Sequence, residues 1–143
     1  MERTGKEGIA MKVFIICPVR KVRKRFSEKV FEHVNRLEAD GHTVYFPPRD
    51  TDQEEGGFEI CLANRKAIES CDEVHIFYDG KSEGVLFDFG MVFAFGKKLQ
   101  VINIPEENHE RKSFIKVMNY IDDLYRTEEE WGEEERSELD LQK

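Results

Sequence analysis

Residues 73–104 read EVHIFYDGKSEGVLFDFGMVFAFGKKLQVINI, and their order decides the fold. Glu73 to Tyr78 is a short run rich in β-branched and aromatic side chains, a strand stopped by Asp79-Gly80. Ser82 then offers a hydroxyl to the backbone N–H groups of Gly84 or Val85, the mark of a helix N-cap. The helix behind it is apolar from Gly84 to Gly96 except for one acid, Asp88. Leu99 to Ile104 is again short and apolar, the next strand. Strand, helix and strand in such close succession make one crossover unit with parallel strands.

The same alternation extends outward. KVFIIC (12–17) reads as a buried strand, and Phe26, Val30, Val34 and Leu37 follow at helical spacing, closing at Asp40-Gly41. HTVYF (42–46) is a strand stopped by Pro47-Pro48, and RDTDQEEGG (49–57) a polar loop. FEICLANRKAIESC (58–71) is a helix with Ile60, Ala63, Ala67 and Ile68 facing inward. Beyond Ile104, Phe114, Val117, Ile121 and Leu124 mark a last amphipathic helix. This pattern predicts an α/β domain, a doubly wound parallel sheet with helices on both faces and strand order 2-1-3-4. A fifth strand after the last helix is left open.

Composition limits what such a domain can be. A chain of 143 residues that is 39% hydrophobic and 36% charged reads as a single soluble globular unit. No apolar run approaches a membrane span and MERTGKEGIA has no signal-peptide core, so the expected location is the cytoplasm and no membrane partner is expected. Residues 1–11 read as an extension, with Met11 a candidate internal start, and residues 12–125 as the domain. The acidic C-terminal tail, 126–143, carries eight acids against three bases and so five of the eight net negative charges. It reads as solvated, with Trp131 and Leu139 the side chains able to dock on a neighbouring subunit. Cys17, Cys61 and Cys71 form no close pair, which argues against a disulfide framework or a zinc site and fits small buried side chains. The loop DTDQEEG lacks the glycine and glutamate spacing of a calcium loop. No metal and no redox cofactor is implied.

In a doubly wound sheet, ligands bind beyond the carboxyl ends of the strands where the winding reverses, here between strands one and three. The loop after strand one brings Cys17, Pro18 and Arg20, the last of these within the basic run PVRKVRKR. Cations beside a helix N-terminus favour an anion, while the plainer reading is a solvated basic stretch. One short basic run on an acidic chain does not make a nucleic-acid polymer surface. The loop after strand three brings Asp79, Ser82 and Gly84, and the loop after strand two brings Arg49 and Asp50, with Asp52 and Gln53 behind them. Each acid here has a turn-forming alternative, and Ser82 is explained by capping alone. His75, inside a strand, reads as a packed core residue, and His33 as a helix-surface residue without a pattern. Asp88 is harder to set aside. An isolated buried carboxylate is costly, so it must be paired, hydrogen-bonded or aimed into a cleft.

The residues Ser82-x-Gly84-Val85-x-x-Asp88-x-Gly90, followed by Ala94-x-Gly96-Lys97, resemble the signature of the nucleoside 2-deoxyribosyltransferase family. The likeness runs from strand one through Gly41-His42 and Asn64 to Asp72 as far as Ile104, and Ser82 and Val85 are closest to its 2'-deoxynucleoside 5'-phosphate N-hydrolase branch. The resemblance implies a flavodoxin-like (Rossmann-like) domain that cleaves or transfers at the N-glycosidic bond of a nucleoside or its 5'-monophosphate. It makes Asp88 the nucleophile in a retaining scheme with a glycosyl-enzyme intermediate. It places Ser82 and Arg20 on the 5'-phosphate, Gly84 and Gly90 where the ligand approaches closely, and Asn64 beside the base. It also implies a homodimer. Two residues depart from the usual pattern, which has Glu at Asp88 and Asp at Asn64. A nucleotide-binding module without chemistry is the alternative these departures suggest, and a partner-assembling protein with no nucleotide affinity is a third.

Overall fold

The computed structural model describes residues 9–106 and 113–126. The elements run β1 (Lys12–Ile16), α1 (Lys24–Ala39), β2 (Thr43–Tyr45), α2 (Pro47–Asp50), α3 (Gly57–Ser70), β3 (Glu73–Phe77), α4 (Glu83–Phe95), β4 (Lys98–Asn103) and α5 (Phe114–Arg126). The strands form one parallel sheet in the order β2-β1-β3-β4. Phe14 lies opposite Tyr45 on one side and Val74 on the other, which fixes the register across the centre.

Alternation along β1 and β3 sends successive side chains to opposite faces and builds two cores. Val13, Ile15 and Phe77 pack under α1 with Val30, Val34 and Leu37. Phe14, Ile16, Val74 and Ile76 pack under Ile68 of α3, Val85, Phe89 and Val92 of α4, and Met118 of α5. The winding therefore reverses between β1 and β3, as the sequence pattern predicts. The sheet has four strands among the described residues. Its β4 edge is met by a side chain of α5: Val101 N–H donates to Asp122 Oδ1 at 2.8 Å, and Arg126 holds the same carboxylate at 3.0 and 3.1 Å. An edge N–H satisfied in this way is withdrawn from pairing with another strand.

One sequence expectation needs correction. Pro47-Pro48 ends a strand but also starts a helix, because proline in the first turn lacks only an N–H that would go unused. Asp50 Oδ2 closes that turn by accepting from Phe46 N–H at 2.8 Å. The apolar α4 is not enclosed on every side within this chain, since Phe87 and Phe93 are 58% and 64% exposed. The acidic tail beyond Arg126, with Trp131 and Leu139, and residues 1–8 lie outside the described residues. No helix among the described residues is long and apolar enough to cross a membrane.

Candidate active site

Asp88 lies in the second turn of α4, half-buried, near the carboxyl end of β1. Its negative charge acts on the Cys17 thiol, just past that strand end, and on Cys61 of α3. Burial pushes the Asp88 carboxyl up to about 7, and a side-chain hydrogen bond from Asn64 of α3 pulls in the opposite direction. The group is thus divided between its acid and its carboxylate near neutral pH. Cys17 is pushed up to about 12, by burial first and by Asp88 second, so it is a neutral thiol rather than a nucleophile. Asn64 is buried, and its Oδ1 accepts from Thr51 Oγ1 at 2.9 Å. Thr51, also buried, lies 2.7 Å from the Tyr45 hydroxyl.

The start of α4 is built as a cap. Ser82 Oγ accepts from Val85 N–H at 3.3 Å, and Asp79 Oδ1 accepts from the N–H groups of Lys81 and Ser82 at 2.9 and 2.8 Å. Asp79 is occupied as the turn former that its position before glycine suggested. Gly84 and Gly90 are exposed, and the protein's own packing does not require either to be glycine. A Cβ at Gly84 would stand 3.8 Å from Ser82 Oγ, an ordinary contact, and one at Gly90 would meet nothing within 4 Å.

No family model and no curated protein matches the sequence. Solved structures do match the fold. A CMP N-glycosidase from Clostridium botulinum superposes with a TM-score of 0.57 at 19% identity, covering 77% of this chain and 81% of that one. A 2-deoxyribosyltransferase from Bacillus psychrosaccharolyticus gives a TM-score of 0.56 at 18% identity, over 76% of this chain and 91% of that one. The one from Leishmania mexicana gives 0.52 at 18% identity, over 66% and 65%. The fold is deoxyribosyltransferase-like.

Within this deoxyribosyltransferase-like fold, the remaining candidates divide. Pro18 is buried against the end of β1, and Arg20 is exposed in the loop that follows. Arg49 and Asp50 are engaged with their own surroundings. Arg49 bonds Asp50 at 2.8 Å, Glu38 at 3.1 Å and the Val44 carbonyl at 3.1 Å, and so ties α2 to α1. Gln53 clamps the same loop by donating to the carbonyls of Pro47 and Thr51. An open cleft of about 370 Å³ lies beyond β3 and β4, lined by Lys21, Arg23, Phe26, Asp79 and Lys81 among others. Of the residues proposed for the site it takes only Asp79. Among the described residues no group of three metal-ligating side chains converges.

Sequence reasoning missed Thr51, Tyr45 and Cys61 as neighbours of the Asn64 and Asp88 pair, because nothing local marks a threonine at the end of a short helix. It also missed a buried chain on the α1 face. His33 Nε2 is 2.7 Å from His75 Nδ1, His75 Nε2 is 2.6 Å from Glu73 Oε2, and Gln100 donates to that same oxygen at 2.8 Å. His75 is buried as expected, but His33 is half-buried and bonded rather than a free surface residue. The i, i+2 spacing of Glu73 and His75 within a strand was the available signal, since it puts both on one face.

Proposed function

We propose that the chain cleaves or transfers at the N-glycosidic bond of a nucleoside or (deoxy)nucleoside 5'-monophosphate, with Asp88 as the nucleophile. The observation that carries this reading is Asp88 itself: a half-buried carboxylate beside the end of β1, with Asn64 as its hydrogen-bond donor. A carboxylate so placed attacks the anomeric carbon as the bond to the base nitrogen breaks, and the base leaves with the bonding electrons. The resulting glycosyl ester is resolved by water, giving the free sugar, or by a second base, giving transfer. The names of the structural neighbours, a CMP N-glycosidase and deoxyribosyltransferases, support this class of reaction.

Ser82, Arg20 and the first N–H groups of α4 are the proposed anchors for the 5'-phosphate, with Cys17, Pro18, Gly84 and Gly90 lining the sugar side. A hydroxyl at Ser82 suits phosphate because an acid there would repel it. The amide of Asn64 is not a general acid, so the leaving base takes its proton from solvent or from another donor. A second copy of this chain, covering the exposed aromatic face of α4, is the proposed partner.

The test is base release from a panel of ribo- and deoxynucleosides and their 5'-monophosphates, by wild type and by Asp88→Ala. Release that disappears in the variant supports the reading and names the substrate. No release from any member, with monophosphates still raising the melting temperature, sinks it and leaves a nucleotide-binding module. That second reading draws on the one-methylene shorter reach of Asp88, since a misplacement of about 1 Å can cost on the order of a hundredfold in rate.

A further inference from the structure

We propose that Tyr45 and Thr51 are positioning residues for Asp88: their hydroxyls, bonded in series to Asn64 Oδ1, hold the Asn64 amide so that its NH₂ faces the carboxylate. This rests on the reading of Asp88 as the reacting group, although the geometry stands apart from it. The links are Tyr45 hydroxyl to Thr51 Oγ1 at 2.7 Å and Thr51 Oγ1 to Asn64 Oδ1 at 2.9 Å. Thr51 and Asn64 are 6% and 7% exposed, so no water competes freely for the bond between them.

Proton counting sets the direction of the series. An ionised Asp88 has only acceptors, so Asn64 turns its NH₂ toward it and its Oδ1 away. Thr51 has one proton and gives it to that Oδ1. Tyr45 must then donate to Thr51. Each donor is used once, and the Asn64 NH₂ bonds the charged carboxylate more strongly than the neutral acid. Three elements supply the parts: Tyr45 ends β2, Thr51 caps the end of α2 and Asn64 lies in α3. The Tyr45 ring is itself fixed by stacking on Phe14, with centroids 5.5 Å apart and planes 9° from parallel. A series that only fastened the loop to α3 would have no influence on how Asp88 titrates. The other titratable groups that sense Asp88 are Cys17 at the end of β1 and Cys61 on α3, both raised and both neutral near pH 7.

The experiment is direct titration of Asp88 by ¹³C carboxyl NMR on the full chain, in wild type, Thr51→Val, Thr51→Ser and Tyr45→Phe. Thr51→Val frees the Asn64 amide, whose own bond favours the charged form, and so raises the Asp88 midpoint by up to about 1 pH unit. Thr51→Ser, which keeps the hydroxyl, titrates as wild type, and Tyr45→Phe rises by a smaller amount. Folded Thr51→Val and Tyr45→Phe proteins that both titrate as wild type overturn the proposal. If Thr51→Val does not fold, Tyr45→Phe decides alone: a raised midpoint supports the series and an unmoved one overturns it. Titration needs no turnover, so a chain that releases no base loses the enzymatic reading while this result still stands or falls by itself. Where base release is found, Thr51→Val lowers kcat near pH 6 to 7 and recovers toward wild type at alkaline pH.

Discussion

At the scale of single residues, Asp88 sets activity against stability. Its carboxyl is pushed from an ordinary 3.8 to about 7, with burial the larger cause and Asn64 the opposing one. Between those two values the folded chain binds a proton that the unfolded chain has released. Stability from this group is therefore greatest at acid pH, falls as pH rises through the window and reaches its full penalty above about pH 7. Asp88→Asn removes the penalty, and its unfolding midpoint in urea at pH 8 should rise by the equivalent of roughly 2–4 kcal/mol, shrinking to nothing near pH 4. Base release should vanish in the same variant, as expected of a site that keeps a group the fold would rather lose. A variant equal to wild type in stability at both pH values would contradict this. The sequence alone raised Asp88 as an anomaly because no other charge stands near it in the helix. It gave no indication of Thr51 or Tyr45, which reach Asn64 from other elements.

At the scale of elements, α4 combines three roles: it covers the sheet through Val85, Phe89 and Val92, it carries Asp88, and it presents an exposed aromatic face. Glycine in a helix interior costs roughly 0.5–1 kcal/mol relative to alanine, and space around Gly90 is open. Gly90→Ala should therefore raise the thermal midpoint. Gly84→Ala is equally free of clash within the chain, so any loss of monophosphate affinity in that variant, read by calorimetry, reports a ligand at the start of α4. Unchanged affinity would move the ligand elsewhere. The last helix has a different duty. Asp122 bonds the edge N–H of Val101 and the guanidinium of Arg126, so Asp122→Ala leaves a half-buried edge donor without its partner. A loss of about 1–3 kcal/mol in chemical unfolding is expected, with greater tendency of the exposed β4 edge to associate. The amphipathic spacing of α5 was plain in the sequence, but its acid at an inward position acquires a meaning only beside β4.

At the scale of the whole molecule, the proposed dimer is tested at the exposed Phe87 and Phe93. Phe93→Ser should shift sedimentation from dimer toward monomer while leaving the far-ultraviolet circular dichroism unchanged, and a wild type that sediments as a monomer at all concentrations rules the dimer out. The sequence by itself determined the order of elements apart from α2, the parallel sheet and the reversal of winding between β1 and β3. Those follow from hydrophobic period and from the handedness of crossovers, both of which are local properties of the chain. It also singled out Asp88 and the cap at Ser82, because a helix start and a lone acid are visible within a few residues. Tertiary structure alone decided that Arg49 and Asp50 are occupied with α1 and α2, and that Asn64 faces both Thr51 and Asp88. It likewise decided that His33 joins His75 and Glu73 across α1 and β3. Hydrogen bonds between residues 13 and 42 positions apart are set by how elements pack, and no local spacing encodes them.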